Sequence, residues 1–159
     1  MIKILFVCLG NICRSPSGEA VMNGLVAKNN LQDRIACDSA GTIAYHTGES
    51  ADARMKKHAL KRDYNLTSIA RQIQQFDFER FDYIITMDKE NYKNVLLLDS
   101  KVQYKNKIFM MMNFATQYND SEVPDPYYGG DQGFEYVLDL LEDACLGLLK
   151  HIIKNDFNK

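Results

Sequence analysis

The sequence predicts an α/β fold in which a parallel sheet is covered by helices on both faces. Short apolar runs alternate with helical patterns along the chain, which is typical of parallel strands joined by helical crossovers. The 159 residues are 46% hydrophobic and 25% charged, a length and composition that suit one folded unit. We therefore expect a single domain over residues 1–159, a three-layer α/β/α sandwich around a four-stranded parallel sheet.

Four segments are the predicted strands. Residues 3–8 form the short apolar run of a buried parallel strand, and residues 81–87 give the clearest strand pattern in the chain. Residues 34–39 and 107–112 are the other two. Since strands of this kind alternate with helices, the loops that follow them should converge at one edge of the sheet, where such folds bind ligands.

Capping residues and apolar periodicity predict four helices. They are expected to begin at Ser15 with Pro16 as first helical residue, at Ser50 and Asp52 (ending near Tyr64), at Asp88, and near residue 132 (ending near 154). The last helix carries a continuous apolar face, so it should pack on the sheet.

Charge, hydropathy and cysteine spacing exclude several function classes. The formal net charge of −2 gives no general attraction to nucleic acid or anionic membranes. No apolar stretch approaches the ~20 residues of a membrane span, and the first residues lack a signal-peptide pattern, so we expect a cytoplasmic protein. The four cysteines lack zinc spacing and, in a reducing compartment, should not form a disulfide framework; we expect no metal and no cofactor.

The segment CLGNICRS, residues 8–15, follows the first strand and leads into a helix. Such a loop presents backbone N–H groups and a helix N-terminus to an anion, and Arg14 adds a guanidinium that can bind two phosphate oxygens. Cys8 lies at the mouth of this cradle, where positive charge stabilises a thiolate and Ser15 can donate a hydrogen bond to it. These features predict Cys8 as a nucleophile for phosphoryl transfer. Cys13 is predicted either to face this loop or to pack in the core.

Phosphoryl transfer from an aryl ester to a cysteine needs an acid for the leaving oxygen. Asp125 is the best candidate, because Pro124 and Pro126 stiffen the loop around it. The alternative is a plain Asp–Pro turn. Tyr127 and Tyr128 follow directly and could wall a groove for an aromatic substrate.

Four separated segments together resemble the low molecular weight protein tyrosine phosphatases. They are CLGNICRS (8–15), DSAGT (38–42), FDYIITMD (81–88) and DPYY (125–128), which follow the family's order over nearly the whole chain. The resemblance implies a flavodoxin-like or Rossmann-like fold and metal-independent hydrolysis of phosphotyrosine through a phosphocysteine, with acid phosphatase activity as well. The implied partners are phosphotyrosine proteins or small aryl phosphates, with phosphate or other oxyanions as product or inhibitor.

The resemblance also implies roles for individual residues. Cys8 is the expected nucleophile, Arg14 the phosphate clamp beside the backbone N–H groups of residues 9–14, and Asp125 the acid that then serves as base for water. The other implied site residues are Leu9, Gly10, Asn11, Ile12 and Cys13 of the loop, the groove walls Tyr45 and Tyr127, and the supporting residues Ser15, Ser39 and Asp88.

Further expectations concern the surroundings of the loop. Asn11 should hold a left-handed backbone conformation, which Asn tolerates, with Ser39 as its hydrogen-bond support. Asp88 is predicted either as a plain helix cap or as a charge that helps to order the loop. Cys13 is implied to form a reversible disulfide with Cys8 on oxidation.

One position departs from the family pattern. Many members carry a His shortly before the ARQ segment, where this chain has Ser68, which predicts a shortened or water-bridged network behind the loop. Tyr127 and Tyr128 match tyrosines that are phosphorylated in some members.

Related activities on similar folds remain as alternatives. Phosphoarginine phosphatases tend to have Thr where this chain has Ile12, and arsenate reductases relay a disulfide through mid-chain cysteines, whereas none lies between Cys37 and Cys145. Phosphocysteine carriers of sugar uptake lack Arg14, and a phosphotyrosine-binding module would need no Asp125. These differences favour the tyrosine phosphatase.

Overall fold

The structure is a computed structural model and describes residues 1–127 and 129–158. The expectations for Tyr128 therefore lie outside the described residues. Four parallel strands form one sheet, as predicted, and the structure orders them β2-β1-β3-β4. They are β1 (Ile2–Cys8), β2 (Ile35–Gly41), β3 (Tyr83–Thr86) and β4 (Ile108–Met110).

Five α-helices connect and follow these strands in the described ranges. They are α1 (Arg14–Lys28), α2 (Ala53–Leu60), α3 (Asp77–Arg80), α4 (Lys89–Leu98) and α5 (Asp131–Ile152), the last continuing as a π-helical turn over Ile153–Phe157. The single turn α3 was not predicted, because four residues are too few to show helical periodicity. None of the helices in these ranges is long and apolar enough to cross a membrane.

Alternation along β1 divides the core between the two faces of the sheet. Ile4 and Phe6 pack in a cluster with residues of α1 and α5, whereas Leu5 and Val7 pack in a second cluster that includes residues of α3 and α4. Successive side chains of a strand point to opposite faces, so a strand that is apolar throughout requires helices on both. The predicted three-layer α/β/α architecture is confirmed.

The strand order fixes the place of the ligand site. β1 has β2 on one side and β3 on the other, so the connections that leave β1 and β2 run in opposite directions across the sheet. Such a switch point opens a crevice at the carboxyl end of the central strand. Cys8 is the last residue of β1 and lies at this edge.

The predicted start of the first helix was wrong. Helix α1 begins at Arg14, after Cys13, which makes no capping hydrogen bond with its side chain. Ser15 is therefore inside the first turn instead of at the N-cap, and its hydroxyl group bonds to side chains of the loop instead.

The predicted caps of α2 and α4 were correct. The Asp52 carboxylate accepts hydrogen bonds from backbone N–H groups of the first turn of α2, and Asp88 accepts one from the N–H of Asn91 at 2.7 Å. Helix α2 ends at Leu60 instead of near Tyr64. The strand predicted over 107–112 is shorter, because the chain turns into a 3-10 helix at Met111–Phe114.

Candidate active site

The loop between β1 and α1 curls around the sulfur of Cys8. Asn11 adopts φ 59°, the left-handed conformation expected of it, and this turn points its backbone N–H at Cys8 Sγ, 3.3 Å away. Ser15 Oγ lies 3.0 Å from the same sulfur. Two hydrogen-bond donors thus face Sγ from a loop and a helix that follow each other in the sequence.

Ser15 is shared between several groups behind the loop. Its Oγ accepts a hydrogen bond from the Asn11 side-chain amide at 2.8 Å and lies 3.3 Å from the carbonyl oxygen of Ala40. A hydroxyl group has one proton, so Ser15 can donate either to that carbonyl or to the sulfur of Cys8. The Asn11 amide leaves this proton free to turn toward the sulfur.

Arg14 is almost completely buried and is held in place by acidic and carbonyl oxygens. One guanidinium nitrogen donates to Asp88 Oδ2 at 2.6 Å and to the carbonyl oxygen of Val123 at 3.0 Å, and the other lies 3.5 Å from Asp125 Oδ2. Burial would lower the pKa of Arg14, but the charges of Cys8, Asp88 and Asp125 raise it above its ordinary value. Arg14 is thus a fixed cation.

Asp88 combines the two roles that the sequence left open. Its Oδ1 caps α4, and its Oδ2 forms the ion pair with Arg14. A single carboxylate therefore couples the start of α4 to the orientation of the guanidinium group.

The support of Asn11 differs from the expectation. Its side-chain oxygen accepts a hydrogen bond from the backbone N–H of Arg71 at 3.0 Å, and its amide donates to Ser15. Ser39, the predicted support, instead donates to Glu19 Oε2 at 3.1 Å. Asn11 is already satisfied by these two partners, and a carboxylate on Glu19 accepts a hydrogen bond from Ser39 more strongly than a neutral amide would.

Arg71 stabilises the loop from behind. Its guanidinium group forms ion pairs with Asp38 and with the fully buried Asp77, each at 3.0 Å. These contacts fix the backbone that donates to Asn11. The sequence did not indicate this role, because no local pattern shows that Asp38 and Asp77 meet Arg71 in the folded chain.

Glu19 on α1 is a second residue that the sequence did not single out. Burial raises its pKa to about 7, and Asp38 adds to this, while the hydrogen bond from Ser39 acts in the opposite direction. The hydroxyl group of Ser68 is buried beside it and forms no hydrogen bond of good geometry with the described residues. A neutral hydroxyl group stabilises a carboxylate less than a cation would, so the shortened or water-bridged network stays a prediction.

A pocket of about 320 Å³ opens above the loop and brings the predicted residues together. Its lining consists of Cys8, Leu9, Gly10, Ile12, Cys13, Arg14, Ile43, Tyr45, His46, Asp125 and Tyr127. Asn11, Ser15 and Asp88 lie behind the pocket wall and contact its lining residues. Ile43 was not predicted to contribute.

The upper walls are more exposed than the floor. Tyr45 is 81% exposed, and the ring of His46 packs edge-on against it at 4.8 Å. Asp125 is partly exposed, and its Oδ1 accepts a hydrogen bond from the backbone N–H of Tyr127 at 3.0 Å. A planar group could therefore lie between these walls with a charged end on the floor.

Cys13 lies in the same pocket as a thiol. Burial raises its pKa well above the ordinary value, and the charges of Asp52, Cys8 and Asp125 add to the effect. Within residues 1–127 and 129–158, no three His, Cys, Asp or Glu side chains are grouped so that they could hold a metal ion.

The chain is similar to one known protein family over nearly its whole length. The family model for low molecular weight phosphotyrosine protein phosphatase matches residues 3–158. A low molecular weight phosphotyrosine protein phosphatase of Rattus norvegicus is 40% identical over 153 residues, covering 93% of this chain and 94% of the relative. The low molecular weight protein-tyrosine-phosphatase YfkJ of Bacillus subtilis is 40% identical over 160 residues, covering 97% of each.

Solved structures show the same similarity. A protein tyrosine phosphatase of Entamoeba histolytica, crystallised with Hepes in its active site, superposes with a TM-score of 0.94 at 50% identity, over 97% of this chain and 98% of that one. An arginine phosphatase of Drosophila superposes with a TM-score of 0.90 at 32% identity, over 98% of this chain and 100% of that one.

Proposed function

Since the chain belongs to the low molecular weight phosphotyrosine protein phosphatase family, we propose that it hydrolyses phosphotyrosine through a phosphocysteine formed on Cys8. The observation that carries this proposal is the convergence of Cys8, Arg14 and Asp125 on one pocket. A nucleophile, a phosphate-binding cation and a proton donor are the groups that this reaction needs. The expected substrates are phosphotyrosine proteins or small aryl phosphates, met in the cytoplasm.

Binding places the phosphate group above Cys8. The backbone N–H groups of residues 9–14 and the start of α1 supply partial positive charge, and Arg14 supplies a full charge that Asp88 holds in position. The aromatic ring of the substrate then lies between Tyr45 and Tyr127. Phosphate and similar oxyanions are expected to bind in the same cradle as product or inhibitor.

The first chemical step transfers the phosphoryl group to sulfur. The thiolate of Cys8, stabilised by the hydroxyl group of Ser15 and the N–H of Asn11, forms an S–P bond while the bond from phosphorus to the aryl oxygen breaks. The protonated carboxyl group of Asp125 gives its proton to that oxygen, so tyrosine leaves as the neutral phenol.

The second step hydrolyses the phosphocysteine. The Asp125 carboxylate takes a proton from a water molecule as the water oxygen bonds to phosphorus. The S–P bond breaks, its electron pair returns to Cys8, and inorganic phosphate leaves. Ser15 again stabilises the sulfur as it becomes a thiolate leaving group.

Cys13 is proposed to protect Cys8 from oxidation. With peroxide as oxidant, the Cys8 thiolate becomes a sulfenic acid, and attack by the Cys13 sulfur forms a disulfide with release of water. Both cysteines line the same pocket, and the charge of Cys8 raises the pKa of Cys13. Since burial keeps Cys13 protonated, it must lose its proton during this attack.

The test compares three substrates in the presence of EDTA at mildly acidic pH: phosphotyrosine, phosphoserine and phosphoarginine. We expect phosphate release from phosphotyrosine, and none with the Cys8→Ser variant. Cys37→Ser is the matched control, because this cysteine lies on β2 outside the pocket and should not change turnover. Circular dichroism checks that each variant folds.

The outcomes separate the related activities. Release from phosphoarginine instead of phosphotyrosine would make the chain functionally similar to the Drosophila arginine phosphatase and would contradict the interpretation of Ile12. Retained turnover in Cys8→Ser would exclude the nucleophile assignment. No release from any substrate would favour an anion-binding module.

A further inference from the structure

We propose that Arg54 is a positioning residue for Asp125, because it fixes the backbone that carries this carboxyl group to the pocket. The inference rests on the proposed function, since it takes Asp125 as the proton donor. Arg54 lies in the first turn of α2 and does not line the pocket. It would therefore act through the loop of residues 125–127 and not on the substrate.

The guanidinium group of Arg54 bridges a helix and this loop. Its NH2 group donates to the carbonyl oxygen of Tyr127 at 3.0 Å and to Asp52 Oδ2 at 3.1 Å, and its Nε lies 3.3 Å from Asp52 Oδ1. Two parallel contacts with one carboxylate fix the plane of a guanidinium group. Asp52 is itself fixed, because it caps α2.

Aromatic rings hold the same guanidinium group from other directions. Its central carbon lies 5.3 Å from the centre of the Tyr127 ring and 5.0 Å from that of Phe134. Both distances are within the range of cation–π attraction. Phe134 is buried on α5, so Arg54 connects the loop to two helices at once.

The loop around Asp125 is fastened on both sides. Before it, Val123 donates its backbone N–H to the carbonyl oxygen of Met87 at 2.8 Å, and its own carbonyl oxygen accepts from Arg14. After it, Arg54 holds Tyr127, whose N–H in turn donates to Asp125 Oδ1. Loss of Arg54 would release the second side while the first, with Arg14, stays in place.

Greater mobility of the loop of residues 125–127 should impair proton donation by Asp125 more than it impairs phosphate binding. A displacement of about 1 Å can reduce a catalytic step by as much as about 100-fold, and a general acid contributes most where the leaving group is poor. The phosphate cradle is built by a different part of the chain, residues 8–14. Substrates with good leaving groups should therefore be almost insensitive to Arg54.

The experiment measures kcat/KM for a series of aryl phosphates, from nitrophenyl phosphate to phenyl phosphate. For Arg54→Ala we expect a loss of about tenfold on phenyl phosphate and less than about twofold on nitrophenyl phosphate. The inhibition constant of inorganic phosphate should stay within about twofold of the unmodified protein. Arg54→Lys should remain impaired on phenyl phosphate, since an ammonium group cannot reproduce the flat two-point contact with Asp52.

Arg62→Ala is the matched control. This arginine follows α2 and forms comparable ion pairs, at 2.9 Å with Asp139 and 3.0 Å with Glu142, but these partners lie on α5 and not in the loop of residues 125–127. Its loss should affect thermal stability without changing the dependence on the leaving group. If Arg62→Ala reproduces the selective loss of Arg54→Ala, the effect is general destabilisation and the proposal is overturned.

Asp125→Ala, alone and combined with Arg54→Ala, separates this inference from the function on which it rests. If Asp125→Ala shows no selective loss on phenyl phosphate, the assignment of the acid fails. If it does, the double variant should be no worse than Asp125→Ala, because a residue that acts only through Asp125 has nothing left to position. A further loss in the double variant, an equal loss on both substrates, or weaker phosphate inhibition in Arg54→Ala would overturn the role of Arg54.

Discussion

Replacing Glu19 by Gln should remove a pH-dependent loss of stability that this carboxyl group causes. In the folded protein, burial raises the pKa of Glu19 from its ordinary 4.5 to about 7. Between these values the folded chain keeps a proton that the unfolded chain has lost. The contribution of Glu19 to the free energy of unfolding is therefore greatest below pH 4.5, and it falls as the pH rises toward 7.

The expected size follows from the same two values. Each pH unit in this window costs about 1.36 kcal/mol, so the whole window corresponds to roughly 3 kcal/mol of unfolding free energy, as an upper value. Gln resembles the protonated acid in shape and can still accept the hydrogen bond from Ser39. Glu19→Gln should thus match the unmodified protein near pH 4.5 and exceed it by about 2–3 kcal/mol above pH 7.

Urea unfolding at pH values from 4.5 to 8 measures this difference directly. Glu90→Gln, on the exposed surface of α4, accounts for the general effect of replacing a carboxylate by an amide. A stability difference between Glu19→Gln and the unmodified protein that stays constant over this range would refute the reasoning. So would a difference that grows toward low pH, because the sign would be opposite.

Two further variants test the redox proposal and the packing of α5. Cys13→Ser should lose activity irreversibly in peroxide, whereas the unmodified protein should recover it with a thiol reagent; equal recovery of both would remove the protective role from Cys13. Gly147→Ala should lower the free energy of unfolding by about 2 kcal/mol, because a Cβ atom there would overlap the carbonyl oxygen of Phe114. Unchanged urea unfolding would show that this contact relaxes freely.

Local patterns in the sequence predicted the elements that depend on neighbouring residues. The four strands, the caps at Asp52 and Asp88, and the left-handed Asn11 are all found as expected. Each is decided within a few residues, by side-chain polarity, by a short capping carboxylate, or by the tolerance of Asn for positive φ. The alternation of strands and helices also predicted that the sheet is parallel, whereas the order of its strands was read from the structure.

Ser15 shows where a local pattern was overruled. A Ser before a Pro is a good cap in isolation, yet the hydroxyl group has better partners in Cys8 and Asn11, which the curled loop places within reach. The helix consequently begins two residues earlier, at Arg14 instead of Pro16. A capping hydrogen bond from Ser stabilises a helix by about 1 kcal/mol, which is less than two or three buried hydrogen bonds contribute together.

The sequence alone determined that Cys8 and Arg14 would line one site, because a strand, a loop and a helix that are contiguous in the chain leave few other arrangements. Only the tertiary structure decided which distant groups complete the site. Ser39 could bond to Asn11 or to Glu19, and Arg54 could face solvent or the loop beyond Asp125. Such choices depend on competition between donors and acceptors that folding brings together, and no spacing along the chain records the outcome of that competition.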